Sequence, residues 1–190
     1  MKKEVIDNFL DEEYFDSLVK LITYKGSVNT NTQWPWYLTH KITKNHDHNL
    51  NNLFYMTHLI YLDNEPISHF YGEFFPFLEK LGSVSNTYRP IPHTFATRQS
   101  GNIPGLIRIK ANLFPNTEIL HEHEMHTDYS FSHNAAVFSL NTCNGYTKLE
   151  DGTKVDSVAN RLLLFDASEK HCSTTTTNDI ARFNININFY

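Results

Sequence analysis

The chain has 190 residues and a formal net charge of −5, with 40% hydrophobic and 19% charged residues, which is typical of one soluble domain with a substantial core. No apolar run approaches the ~20 residues of a membrane-spanning helix, and an acidic chain without a basic stripe argues against binding to a nucleic-acid backbone. Two cysteines without CxxC spacing exclude a dense disulfide framework, so we expect free thiols and a cytoplasmic location.

The N-terminal half predicts a helical layer. Residues 4–9 are typical of a short strand, and Asp11 can cap the helix that follows, whose apolar side chains recur at helical spacing through Ile22. A second helical pattern, rich in aromatic side chains, covers about residues 65–81 and needs a surface to pack on. We therefore expect supporting helices over about residues 1–104.

From about residue 105 the hydrophobic period changes from helical to alternating. Residues 106–114, 135–141 and 181–189 each place apolar side chains on one face and polar ones on the other, as in β-strands. The sequence thus predicts a mainly β fold with supporting helices, in a single domain over residues 1–190.

Two turn dipeptides interrupt the alternating part of the sequence. Asn144-Gly145 and Asp151-Gly152 lie where hairpins would need them. Together with the strand patterns they predict a β-sandwich or barrel as the core of the domain.

The polar faces of the predicted strands admit two interpretations. On strand pattern alone they meet solvent, while the apolar faces form the core. Alternatively the apolar faces pack on the N-terminal helices, and the polar faces line a lumen that binds an anion. Arg108, Lys110 and Arg182 would then supply the positive charge, and the aromatic pattern at residues 65–81 adds weight to this second interpretation.

The segment HEHEMHTD, residues 121–128, carries the clearest chemical signal. His126 and Asp128 are two positions apart, so on a strand both would point the same way. With His171 further along the chain they form a two-histidine, one-carboxylate set, which is the facial triad of non-haem iron(II) oxygenases. Arg182 begins a later strand, and its guanidinium can bind a carboxylate bidentately.

The order His126-x-Asp128, then His171, then Arg182 resembles the Fe(II)/2-oxoglutarate-dependent dioxygenase superfamily. The hairpin and strand before His171 look similar to the family over about residues 105–190, and residues 4–22 resemble prolyl-4-hydroxylase-like members more loosely. Small members encoded by bacteriophages are also similar overall.

The resemblance implies a double-stranded β-helix (jelly-roll, cupin-like) core over about residues 105–190. It implies that Fe(II) binds the three triad residues and that Arg182 binds the distal carboxylate of 2-oxoglutarate, with O2 as the oxidant. Lys110 or Asn112 would also contact the co-substrate. Common prolyl hydroxylases place a tyrosine on that strand, and this chain has none there, which puts a prolyl substrate in doubt.

Two other functions stay open at this stage. A cupin-like metalloenzyme could use His121 and His123 with Asp128 and His171, although we interpret His121 and His123 as surface loop residues. A jelly-roll carbohydrate-binding module could use Trp34, Trp36 and the asparagine-rich last strand, although we expect the tryptophans to pack in the core or a lid.

Three further residues or motifs have simple explanations. We expect His46-Asp47-His48 to lie in a solvated loop, Arg161 to form a salt bridge, and Cys172 to be a small buried side chain. The primary substrate is not readable from the sequence. The prolyl-hydroxylase-like N-terminus favours a protein or peptide side chain, and the oligomeric state is not predicted.

Overall fold

Antiparallel β-strands make up most of the protein. The computed structural model describes residues 3–23, 33–39, 53–85, 89–90 and 102–190. The strands are β1 (Glu4–Ile6), β2 (Tyr37–Thr39), β3 (Tyr55–Leu62), β4 (Glu65–Pro66), β5 (Arg89–Pro90), β6 (Asn102–Ile103), β7 (Leu106–Pro115), β8 (Asn134–Ser139), β9 (Tyr146–Leu149), β10 (Lys154–Asp156), β11 (Arg161–Asp166), β12 (His171–Ser173) and β13 (Ala181–Phe189). The helices are α1 (Glu12–Thr23), a 3-10 helix (His69–Phe74) and α2 (Phe75–Ser85). Within those described ranges, no helix has the length and apolar character to cross a membrane.

Two sheets enclose the space in which the polar side chains meet. The main sheet has eight strands in the order β1-β11-β8-β13-β7-β3-β2, with β4 paired to β3, and the second sheet has the order β10-β9-β12. Strands β5 and β6 form a separate small pair. In the central β7–β13 pair, Arg108 lies opposite Asn188, Lys110 opposite Asn186, and Asn112 opposite Asn184.

The apolar faces of β7 and β13 pack against the helices. Buried side chains of both strands share one core cluster with side chains of the 3-10 helix and α2, including Ile109, Ile187, Phe74, Phe77 and Leu81. Three phenylalanines, Phe9, Phe77 and Phe138, meet edge to face at 5.1–6.0 Å between ring centroids, which adds to their burial. Helix α1 begins as predicted, because Asp11 Oδ1 accepts a hydrogen bond from Tyr14 N at 2.9 Å.

The polar faces of the two central strands are buried or half-buried rather than open to solvent. All nine residues of β13 are buried, so the interpretation in which the polar faces meet solvent is wrong, and these faces line an enclosed lumen. The reason is the second sheet, which covers the polar face of the main sheet and which a single strand's pattern does not reveal. That this lumen binds an anion stays a prediction.

The predicted helical layer over residues 1–104 needs correction. Its described part also contains β2, β3 and β4, and β3 extends the main sheet beside β7. The predicted helix over residues 65–81 is instead β4, the 3-10 helix and α2. Pro76 explains the break, because its ring and missing N–H are tolerated in the first turn of a helix but not within one.

The two turn dipeptides have different outcomes. Asp151-Gly152 does connect the β9–β10 hairpin, and Gly152 has a φ of 85°, which glycine adopts without strain. Asn144-Gly145 was predicted to form a hairpin turn, but it lies in the crossing from β8 in the main sheet to β9 in the second sheet.

Several smaller predictions are confirmed. Arg161 pairs with the Asp7 carboxylate through two nitrogens, at 2.6 and 2.9 Å. Cys143 and Cys172 are free and buried, and Trp34 is fully buried in the core.

Candidate metal and anion site

Three side chains from two parts of the chain converge between the sheets. The ligand atoms of His126, Asp128 and His171 all lie within 4.8 Å of one another. The two histidine Nε2 atoms each lie 3.9 Å from a different oxygen of Asp128. No other such group of metal-ligating side chains is found in the part of the chain that the structure describes.

A backbone contact holds the two histidines together. His126 and His171 exchange both N–H···O bonds at 2.9 Å, and this isolated bridge joins the segment before Asp128 to β12. The segment is irregular rather than a strand, so the strand geometry expected for His126-x-Asp128 is not what brings them together. The bridge and the bend after it do so.

A backbone carbonyl oxygen near the Nδ1 atom orients each imidazole ring. His126 Nδ1 lies 3.1 Å from the Glu124 carbonyl oxygen, and His171 Nδ1 lies 3.3 Å from that of Glu169. When Nδ1 donates to a carbonyl, Nε2 carries the lone pair, which is how metal-binding histidines are commonly held. Burial lowers the pKa of His171, although the charge of Asp128 opposes the shift, so its neutral, ligand-competent form is favoured.

Asp128 is ionised in a basic surrounding. Burial by itself would raise the pKa of its carboxyl, but the charges of Arg108 and Lys110 and a hydrogen bond from Asn188 hold that pKa well below its usual range. Asn188 Nδ2 donates to Oδ2 at 2.8 Å, and Arg108 Nη2 lies 2.8 Å from Oδ1.

The polar faces of β7 and β13 form the floor of the pocket. Lys110 lines it without a hydrogen bond or ion pair to any described residue, and burial, assisted by the charge of Arg108, lowers the pKa of Lys110 to about 8 although Asp128 opposes this. Asn112 donates to Asn184 Oδ1 at 2.9 Å. The Oδ1 atom of Asn112 has no partner within the described ranges, so it remains available to a ligand.

Arg182 is a buried cation without an acidic partner among the described residues. It is 1% exposed, and burial lowers its pKa to about 10. Its guanidinium donates to the Tyr146 carbonyl at 2.8 Å and to Thr147 Oγ1 at 2.9 Å, both of which are neutral acceptors. A buried cation that meets only neutral groups is costly, and an anionic ligand would offset that cost.

Gly145 provides the space that Arg182 occupies. A Cβ atom at this position would lie 2.7 Å from Arg182 Cδ and 2.7 Å from the Thr175 carbonyl oxygen. The second contact is with backbone, which cannot rotate away, so a side chain here must displace the crossing or the arginine.

We therefore expect Gly145→Ala to lower the free energy of unfolding by about 1–3 kcal/mol, the usual cost of overpacking. Chemical denaturation measures it. Gly72→Ala is the matched control, because a Cβ there meets no atom within 4 Å. Equal stability of the two variants would contradict the close approach at Gly145.

The structure brings together several residues that sequence reasoning did not single out. Tyr55 on β3 lines the pocket, stacks on Phe114 at 5.5 Å and lies near Lys110. Thr147 and Asn188 were also missed. Hydroxyl and amide side chains on inward strand positions carry no signal until the facing sheet is known.

The competing ligand sets are not assembled. His123, predicted to lie on a surface loop, is in fact buried, with Nδ1 2.9 Å from Ser173 Oγ and its ring 5.1 Å from that of Phe114. His121 and His123 are not part of the triad cluster, which argues against the cupin set. Burial of Trp34 argues against a carbohydrate platform. His46-Asp47-His48 lies outside the described residues.

The triad suits a divalent first-row metal ion. Two imidazoles and one carboxylate are borderline and hard donors, and the set contains no thiolate; with three protein ligands an octahedral ion keeps open positions. The partnerless Asn112 oxygen and the Lys110 side chain belong to the same pocket as the triad, and Arg182 donates to Thr147, which also lines that pocket. The residues therefore fit an iron ion together with a small dicarboxylate.

Comparisons in sequence find no relatives: no family model and no curated protein matches the chain. Solved structures do match. A prolyl hydroxylase from Trichoplax adhaerens, in complex with a hypoxia-inducible-factor peptide, aligns with a TM-score of 0.61 and 14% identity over 99% of this chain and 83% of that one.

Two bacterial structures are similar to a comparable degree. A Pseudomonas putida prolyl-4-hydroxylase has a TM-score of 0.58 and 14% identity over 98% of this chain and 91% of its own. A 2OG-Fe(II) oxygenase family oxidoreductase from Burkholderia pseudomallei has a TM-score of 0.64 and 12% identity over 98% of this chain and 84% of its own. Identity this low shows the fold alone. The predicted fold is thereby confirmed, and the chain has the double-stranded β-helix fold of the Fe(II)- and 2-oxoglutarate-dependent oxygenases.

Proposed function

We propose that this protein is an Fe(II)- and 2-oxoglutarate-dependent dioxygenase that hydroxylates an unactivated C–H bond and releases succinate and CO2. The observation that carries the proposal is the convergence of His126, Asp128 and His171 within 4.8 Å, inside a fold shared with such oxygenases. The three side chains are the proposed Fe(II) ligands. Bound iron supplies the activation of O2 and the oxidative decarboxylation of 2-oxoglutarate.

The residues of the lumen suit a dianionic co-substrate. Arg182, fixed by the Tyr146 carbonyl and Thr147, is the proposed partner of the distal carboxylate. Lys110 lies in the pocket wall with its ammonium group unpaired among described residues, and the free Asn112 oxygen lies on the same strand face. We propose that Lys110 and Asn112 contact 2-oxoglutarate between Arg182 and the metal, and that Tyr55 closes that side of the pocket.

The favoured primary substrate is a protein or peptide side chain, such as proline. The support is indirect: several similar structures are prolyl hydroxylases, and one of them is a complex with a peptide. We also propose a cytoplasmic location, which the two free thiols support. The likeness to bacteriophage-encoded members stays a prediction, as does the argument against nucleic-acid substrates.

Ligand-induced stabilisation tests the proposal without knowledge of the substrate. Mn(II) can replace Fe(II) in such ligand sets, and a bound ligand at 100 times its Kd stabilises a protein by about 2.7 kcal/mol. We expect Mn(II) and 2-oxoglutarate together to raise the melting temperature more than the sum of their separate effects. His171→Ala should remove the joint effect. A wild type that neither ligand stabilises would contradict the proposal.

A further inference from the structure

Both oxygens of the Asp128 carboxylate are already engaged by the protein. Oδ2 accepts from Asn188 Nδ2 at 2.8 Å, and Asn186 Nδ2 lies 3.4 Å from the same oxygen. Oδ1 lies 2.8 Å from Arg108 Nη2, in an ion pair that does not meet hydrogen-bond geometry. The pair is largely buried, with side-chain exposures of 16% for Arg108 and 8% for Asp128.

Arg108 is held against Asp128 from two directions. Its strand β7 pairs with β13 so that Arg108 lies opposite Asn188, the other partner of Asp128. Its guanidinium also lies 5.4 Å from the ring centroid of Tyr129, whose centroid lies 5.1 Å from that of Phe131. The ion pair with Asp128 and the neighbouring Tyr129 ring both favour this orientation of the guanidinium, because guanidinium groups stack well on aromatic faces.

We propose that Arg108 is a positioning residue that keeps Asp128 a one-oxygen ligand of the metal ion. The inference rests on the proposed function. A guanidinium in contact with Oδ1 repels a second cation that approaches the same oxygen, whereas the neutral amides on Oδ2 do not. A bound metal ion would therefore be held through Oδ2, and Arg108 would keep the carboxylate from rotating to offer both oxygens.

This constraint protects an open coordination position. Carboxylates bind cations through one oxygen or through two, and a two-oxygen Asp128 would take a fourth position of the octahedron. The proposed reaction needs two positions for 2-oxoglutarate and a further one for O2. A one-oxygen Asp128 leaves all three open. Arg108 therefore sets how many coordination positions stay open on the metal ion, and it is not needed for the ion to bind.

The number of water molecules bound to Mn(II) measures the number of open coordination positions directly. Relaxation of water protons reports how many water molecules the bound ion holds, and no co-substrate or turnover is needed. We expect about three waters in the wild type, the positions that three protein ligands leave. Arg108→Met should hold about two, so that the relaxation enhancement per bound Mn(II) falls by about a third. Arg108→Lys, which keeps a cation, should retain about three.

Arg161→Met is the matched control, because it removes an arginine that pairs with an aspartate, Asp7, outside the pocket; it should retain about three waters. An Arg108→Met variant that holds as many waters as the wild type would overturn the inference alone. Loss of all Mn(II) from Arg108→Met, or an equal loss of water in Arg108→Lys, would also overturn it. A wild type that binds no Mn(II) would overturn the proposed function and this inference with it.

Discussion

Replacing Asp128 with asparagine should abolish metal binding and should also lower the free energy of unfolding of the metal-free protein by about 3 kcal/mol. Asp128 is the only acid that lines the pocket among described residues. Without its charge, Arg108 and Lys110 would share the lumen with no counter-ion. Removing one partner of a buried pair leaves the other charge uncompensated, which is the source of the large cost.

Asp7→Asn is the control for this variant. Asp7 also pairs with an arginine, Arg161, but its side chain is 54% exposed against 8% for Asp128. Exposed ion pairs contribute about 0–1 kcal/mol, so Asp7→Asn should unfold close to the wild type in urea. If the two variants lost the same stability, Asp128 would not be the buried counter-charge described above.

Arg182→Met should weaken 2-oxoglutarate binding by about 100-fold or more while leaving metal affinity unchanged. Loss of one partner of a buried charge pair costs about 2–5 kcal/mol, which corresponds to roughly that factor. The stability of the ligand-free protein should change by no more than about 1 kcal/mol, because the variant loses the hydrogen bonds to Tyr146 and Thr147 but no longer buries an uncompensated charge. Calorimetric titration and denaturation measure the two quantities.

Arg182→Lys separates charge from geometry at the same position. A lysine keeps the positive charge but not the planar fork that suits a carboxylate, so its loss of affinity should be smaller than that of methionine. Full co-substrate affinity in Arg182→Met would contradict the role of Arg182. Lys110, which lines the pocket, would then be the anchor.

Patterns within single strands predicted much of the fold. The alternation in residues 106–114 and 181–189 identified β7 and β13, and Asp11 marked the start of α1. Strand β3 was missed because neither face of its sequence is consistently polar, and its burial comes from the neighbours it joins. The available signal was the turn dipeptide Asp63-Asn64. In the structure these two residues have φ angles of 51° and 70°, which are those of a tight hairpin turn.

The candidate site also could be predicted from the sequence only in part. His126, Asp128, His171 and Arg182 could be proposed from residue type and order, since the chemistry demands those side chains. The contact between Arg108 and Asp128 could not, because it depends on a loop of irregular backbone meeting β7. The burial of His123 was unpredictable for the same reason: the segment before the triad pairs with β12.

Anaerobic titration of 2-oxoglutarate into the Fe(II)-loaded protein tests the central claim most directly. A 2-oxo acid chelated to Fe(II) gives a visible absorption band that neither component gives alone. The account predicts that this band forms in the wild type, saturates at one co-substrate per chain, and is absent from His126→Ala under the same conditions. An Fe(II)-loaded wild type that shows no band at saturating 2-oxoglutarate would contradict it.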